Sequence, residues 1–234
     1  MEVSERLPGA ETRRPIQRGD IAQAIRDGVH VVGIIDGEFQ QARAVSPSEL
    51  MDALRSGMRV YGSSSIGALR AVELERYGMI GVGAVFALAK ETFGFRDDFV
   101  ATTFDEERGE ERGNGLPFVA FALNARRLVA RGALSDSAAA NLCQHYARLH
   151  FTRRNEAALE RLLRASAPSS QELVEAMKQV FAAGNPLRDD GLALLSRIDT
   201  DLREVEARNQ RIASLQQADR TGPWPRGVVR ADGR

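Results

Sequence analysis

Apolar and polar positions recur with two different periods along the first hundred residues. "DIAQAIRDG" carries Ile21, Ala24 and Ile25 at helical spacing, with Asp20 as a predicted N-cap and Gly28 just past the end. "VHVVGIIDG" breaks that period. Val29 to Ile35 is β-branched and apolar on both faces, which predicts a strand buried on both sides of a parallel sheet. Asp36-Gly37 predicts the turn that ends it. "SPSELMDALRSG" returns to the helical period, capped by Ser46 or Ser48, with Pro47 in its first turn and Gly57 beyond its end. "MRVYG" is a second short strand, and a helix over 66–77 starts directly after Ser63, Ser64 and Ser65. Strand, helix, strand, helix with short connections predicts a parallel sheet with right-handed crossovers. Two strands make a thin sheet, and "GMIGVGAVF" is the candidate for a third.

After residue 104 the pattern changes. "DEERGEERGNG" is charged and glycine-rich and predicts an exposed loop. From Pro117 onward every block is helical: "PFVAFALNARRLVARG", "SDSAAANLCQHYARLHF", "NEAALERLLRAS", "SSQELVEAMKQVFAAG" and a long amphipathic segment beginning "DDGLALLSRIDTDL". Within that segment Leu202, Val205, Asn209 and Ile212 repeat at 3-4-3 spacing, which fits a docking or coiled-coil seam as well as packing on its own domain. The expected layout is an irregular segment over 1–17, an α/β core over 18–104, an exposed loop over 105–115, a helical region over 116–218 and a disordered tail over 219–234. The fold class is α/β: a small parallel sheet with flanking helices, followed by an all-helical C-terminal part.

Composition narrows the function classes. Thirty-two basic residues balance thirty-two acidic ones, so no broad electrostatic grip on nucleic acid or an anionic membrane is expected. Cys143 is the single cysteine, which leaves no intrachain disulfide and no Cys-based zinc site. It reads as a small core residue. No apolar run approaches the roughly 20 residues of a membrane span. "MEVSERLPGAETRRP" lacks a secretory core, so a cytoplasmic location is the expectation. There is no Walker A, no dinucleotide fingerprint and no H-E-x-x-H, so neither a nucleotide cofactor nor a metal is expected.

The candidate chemistry gathers at one edge of the predicted sheet. Asp36 and Ser63–Ser65 stand at the carboxyl ends of two parallel strands, where such sheets bind ligands. The serines have three readings. Ser65 before Ile66 is a good N-cap, contributing about 1 kcal/mol, but a cap explains only one of the three. A helix N-terminus with hydroxyls also forms a site for a phosphate, carboxylate or thiocarboxylate. Ser63-x-Ser65-x-Gly67 is a loosened nucleophile elbow, although His30 lies at the far end of its strand and His145 and His150 are spaced awkwardly for one helical face. Arg70 and Glu73, one turn apart on a largely apolar helix, form either a solvated pair or a network at a site. The vicinal Asp97-Asp98 pair is a weak metal signal.

"RGDIAQAI", "VVGIIDGEF", "AVSPSELMDALRSGMRVYGSSSIGALRAVELERYGMIGVGAVF" and "DDFV" resemble, in that order, the core of the TfuA-like proteins. The resemblance spans about residues 18–155. It implies a partner of the YcaO type, which converts backbone amides to thioamides, and a role in supplying sulfur from the thiocarboxylated tail of a ThiS-type ubiquitin-like carrier. It implies neither a nucleic-acid nor a membrane partner and allows a homo-oligomer. By position it carries over Asp20, Asp36, Ser65, Arg70, Glu73, Asp97, Asp98 and Arg154. Combined with the rim, the expected catalytic residues are Ser65, Asp36 and Glu73. Ser63, Ser64, Arg70, Asp20 and Arg154 are expected to bind substrate or anion, with Glu49, Asp97 and Asp98 as secondary candidates. The chain also departs from the family pattern. Pro47-Ser48 precede Glu49 where the family has His-Lys, Phe104 stands near a family His, and Ala120, Phe121 and Ala122 follow Val119 where the family reads Asn-Leu-Arg. The family's leading strand is not found upstream. These departures leave two functions in view: hydrolysis of the carrier thiocarboxylate, or non-catalytic allosteric or scaffolding support of a YcaO enzyme through the C-terminal helices.

Overall fold

The computed structural model describes residues 2–36, 44–92, 96–101, 104–105, 110–111, 115–166 and 171–221. Its elements in chain order are α1 (Glu2–Arg6), α2 (Asp20–Arg26), β1 (Val31–Ile34), α3 (Pro47–Arg55), β2 (Arg59–Ser63), α4 (Ile66–Leu74), β3 (Ile80–Val82), α5 (Ala84–Glu91), β4 (Phe104–Asp105), β5 (Glu110–Glu111), α6 (Phe118–Ala130), α7 (Asp136–Arg148), α8 (Glu156–Ser166), α9 (Gln171–Ala182) and α10 (Pro186–Thr221). Short 3-10 turns follow α4, α5 and α7.

The sheet has the order β1-β2-β3 and is parallel throughout, with Ile34 beside Gly62 and Tyr61 beside Ile80. "GMIGV" thus supplies the third strand. Successive side chains point to opposite faces. Ile34 and Val60 enter a core with Ile21 of α2, Leu50 of α3 and Leu69 of α4. Tyr61, Val31, Ile35, Ile80 and Val82 face Leu194, Leu195 and Ile198 of α10. Both faces are therefore covered, as an all-parallel sheet requires.

The four helices α6 to α9 build a second core around Phe121, Leu142, Tyr146, Leu159, Met177 and Val180. Phe121 and Tyr146 stack with ring centroids 4.2 Å apart, and the Tyr146 hydroxyl donates to the Leu116 carbonyl at 2.7 Å. A third cluster joins the halves through Ala68 of α4, Val85 and Leu88 of α5, Val100, and Val119 and Leu123 of α6. Cys143 packs at its margin, where burial pushes the thiol up to about 11. That is the behaviour of a core residue and not of a nucleophile.

The helix α10 has 36 residues and runs for about 54 Å. Its first half returns to the sheet. Its distal half leaves the body, with Leu202 40%, Ile212 44% and Leu215 71% exposed. The Leu202–Ile212 seam thus does not close onto its own domain.

Local chemistry sets the helix ends, with differences from expectation. Ser46 and Glu49 form a reciprocal capping box at α3. Glu49 also accepts the Gly19 N–H at 2.5 Å, tying α2 to α3. Burial raises the Glu49 carboxyl, but these donors outweigh it and leave the pKa below the ordinary value. The N-cap of α2 is Gly19 in the left-handed region, not Asp20. Asp20 is the first helical residue, and its carboxylate accepts the Gln17 N–H at 2.8 Å and pairs with Arg14 at 3.2 Å. The helix expected over 66–77 gives way after Leu74 to a 3-10 turn that ends at Gly78.

At the start of the predicted 105–115 loop, β4, which begins at Phe104, and β5 form a short antiparallel pair. Residues 106–109 and 112–114 of that loop, Gly37 of the predicted turn and the tail beyond 221 lie outside the described residues. No described helix is long and apolar enough to cross a membrane.

Candidate anion-binding site

The site is organised by the junction between β2 and α4. Gly62 and Gly67 let the first turn of α4 lie directly on the strands. A Cβ on Gly62 would overlap the Gly67 carbonyl, and one on Gly67 would overlap the carbonyl of Ile34. Between them the chain turns sharply, and Ser64 takes φ 66, the one left-handed non-glycine among the described residues. The Ser65 N–H donates to the Ile35 carbonyl at 3.3 Å, which closes the junction against β1.

The three serine hydroxyls serve this junction. Ser63 donates to the Asp190 carbonyl at 3.2 Å, Ser64 to the Leu187 carbonyl at 2.7 Å and Ser65 to the Val100 carbonyl at 3.3 Å. Ser65 occupies the N-cap position of α4 but makes no side-chain cap bond. Two serines therefore hold the start of α10 and the third holds the turn at 97–99. His145 and His150 make local contacts, with Asn141 and Thr152.

A pocket of about 540 Å³ opens beside this junction, between the segments before α2 and α3, the start of α4 and the 97–99 turn. Its walls carry Arg18, Ser46, Pro47, Ile66, Arg70, Arg96, Asp97 and Asp98. Three guanidinium groups on one concave wall make the site suited to an anion. Arg70 is 13% exposed. Its Nε donates to the Val45 carbonyl at 2.9 Å and its terminal nitrogen reaches both oxygens of Glu73 at 2.8 Å. Arg70 is thus part of the pocket wall, while its partner Glu73 is 37% exposed and does not line the cavity.

Arg96, which also lines the pocket, grips Asp98 with Nε at 2.7 Å and a terminal nitrogen at 2.9 Å. Arg154, whose side chain is 1% exposed, bonds the same carboxylate at 2.5 Å and also the Asp98 carbonyl. Burial pushes the Asp98 carboxyl up, but hydrogen bonds and charge from Arg96 and Arg154 leave it below its ordinary value. Burial lowers the Arg154 pKa, and Asp98 opposes that shift. Asp97 faces the pocket without an ion pair among the described residues.

Of the residues expected from sequence, Arg70, Asp97 and Asp98 line the pocket. Glu73 enters through Arg70, Arg154 through Asp98, and Glu49 through its capping partner Ser46. Ser63, Ser64, Ser65, Asp20 and Asp36 are not among the lining residues. Arg18 and Arg96 were not singled out by sequence. Their sequence surroundings, "RGD" and "RDD", do not set them apart from the other arginines of the chain. No described group of His, Cys, Asp and Glu could hold a metal ion.

The Asp98 shift has a consequence for stability. Its folded pKa lies below the unfolded value near 3.8, so its stabilisation is complete above 3.8 and is lost as pH falls through the folded value. Asp98→Asn should be less stable at neutral pH and should lose less stability below pH 3.8 than the parent. Urea midpoints across pH 2–7 check this, and parallel curves for the two proteins would refute it.

The chain is a parallel α/β domain with an arginine-lined pocket at the carboxyl edge of its sheet, the edge where open parallel sheets bind ligands. The comparison with protein families is more specific. The model described as TfuA-like protein matches residues 36–155, about half of the chain, and the chain belongs to the TfuA-like family. That family is associated with YcaO-type enzymes and thioamidation. A search of curated proteins finds no match.

Proposed function

We propose that this protein supplies sulfur to a YcaO-type enzyme by hydrolysing the thiocarboxylated C-terminus of a ubiquitin-like carrier. The observation that carries the reading is the pocket wall of Arg18, Arg70 and Arg96 at the carboxyl edge of the sheet. A thiocarboxylate is a soft anion at the end of a flexible tail, and a concave wall of guanidinium groups holds its charge at the mouth. Asp97, facing the same space without an ion pair among the described residues, accepts a proton from water as the water attacks the carbonyl carbon. The tetrahedral intermediate carries its negative charge on oxygen, within reach of the arginine wall. Collapse breaks the carbon–sulfur bond. Water supplies both hydrogens of the released hydrogen sulfide, and the carrier is left as a carboxylate. In this reading Ser65 acts through the turn that it anchors at Val100, and Ser63 and Ser64 act through α10.

The test is sulfide release from thiocarboxylated carrier with purified protein. Arg70→Ala and Arg96→Ala should each lower kcat/KM more than tenfold, in line with a lost oxyanion or anion donor at roughly 3–4 kcal/mol. Parent rates in both variants, with unchanged circular dichroism, would remove the pocket as the site.

One observation favours a second reading, non-catalytic support of the YcaO enzyme. Pro47 stands on the pocket wall, at the family's His-Lys position. The same assay separates the two: no sulfide from the parent protein, with stimulation of the YcaO reaction intact, selects the supporting role.

A further inference from the structure

Arg154 is the most deeply buried of the charged groups around the pocket, yet it does not line the cavity. It comes from the helical half of the chain, after the 3-10 turn Phe151–Arg153, and reaches the α/β half. Its guanidinium lies 5.8 Å from the ring centres of both Phe99 and Phe118. One terminal nitrogen bonds the Asp98 carbonyl and the other the Asp98 Oδ2. The backbone and the side chain of one residue are thus held by one rigid fork. Asp98 in turn presents both oxygens to Arg96, which lines the pocket. A buried arginine is hard to keep unless its contacts are specific. Its Nε has no hydrogen-bond partner, so this group is retained in spite of an unsatisfied donor.

We infer that Arg154 is a positioning residue: through Asp98 it sets the guanidinium of Arg96 in the pocket, making the helical half of the chain part of the site. The inference rests on the reading of the pocket as the thiocarboxylate site. Without Arg154, Asp98 loses the contact that fixes its main chain, and the turn is then held beyond Asp98, by Phe99 against Phe118 and by Val100 in the core and on Ser65. Arg96 is an exposed side chain and would then sample solvent rather than one orientation. Lysine cannot replace Arg154, because a single ammonium on a flexible stem cannot serve the carbonyl and the carboxylate with the geometry of a planar fork.

The test uses Arg154→Lys, and Asp98→Asn as a second variant that weakens the grip on Arg96 directly while Arg154 stays in place. Arginine Nε–H signals of the full chain are followed by NMR, with Arg96 assigned by the Arg96→Ala spectrum. Hydrogen exchange at Arg96 Nε–H should quicken at least tenfold in both variants. In sulfide release the KM for thiocarboxylated carrier should rise about tenfold in Arg154→Lys, with kcat within threefold of the parent. On the Arg96→Ala background, Arg154→Lys should add nothing further. Unchanged Arg96 exchange in both variants would overturn the inference, as would a full tenfold loss on the Arg96→Ala background. Quickened exchange in a protein whose parent form releases no sulfide would keep the positioning role and reject the catalytic reading of the pocket.

Discussion

Gly67→Ala is expected to cost on the order of 3 kcal/mol or more, enough to leave a marginally stable domain largely unfolded at physiological temperature. The added methyl would overlap the carbonyl of Ile34, and Gly62 already lies against the carbonyl of Gly67 from the other side. Backbone meets backbone at both contacts, so no side chain can swing away. The clash is relieved only by lifting α4 off the sheet, which exposes Ile66 and Leu69 and opens the core shared with Val60 and Met79. Gly33→Ala provides the contrast. Its Cβ would stand 2.8 Å from Ile198 Cδ1 and 2.9 Å from Leu194 Cδ2, the ends of side chains that can rotate. A cost nearer 1 kcal/mol is expected there. Urea midpoints of the two variants, read at constant m, make the comparison. Equal losses would refute the close approach of α4.

Asp190→Ala carries the second large effect. This carboxylate is 3% exposed, and its two oxygens accept the N–H groups of Ala84 and Val85 at 2.8 Å each. It caps α5 from a different helix, against Gly83 at φ 101, where a Cβ would overlap the carboxylate itself. Burial pushes the Asp190 carboxyl above its ordinary value, and the Val85 and Ala84 donors with Arg127 oppose that shift only in part. Removing the side chain strands one buried and one part-buried donor, at roughly 1–3 kcal/mol each, so a loss of about 2–6 kcal/mol is expected. The start of α10 should loosen first, because the lost carboxylate is what ties it to the N-terminus of α5. Faster proteolysis between α9 and α10, beside a lowered urea midpoint, reads this out. A midpoint shift under 1 kcal/mol with unchanged cleavage would show that the cap is dispensable.

The three serines show how a sequence feature changes meaning in three dimensions. At the junction of a strand and a helix they invited readings as a cap, an anion cradle or a nucleophile. In the folded chain their hydroxyls face inward, toward carbonyls contributed by residues 35 to 127 positions away. The pocket beside them is lined instead by arginines. Arg70 was visible beforehand, because a basic residue in an apolar helix needs a partner. Arg18 and Arg96 were not, because in sequence they are indistinguishable from the many surface arginines of this chain.

What the sequence determined by itself is whatever depends on neighbours a few residues apart. The two-sided apolar run of β1, the capping box of Ser46 and Glu49, the parallel alternation and the glycines beside the serines are all local signals. They suffice for the fold class. The tertiary structure decided what depends on distant partners: that α10 returns to cover the second face of the sheet, that Asp190 caps α5, and that Arg154 reaches Asp98 across the two halves. The physical reason is common to all three. A buried polar or charged group must find its partner, and the direction of a side chain in space, not its spacing along the chain, settles which partner it finds.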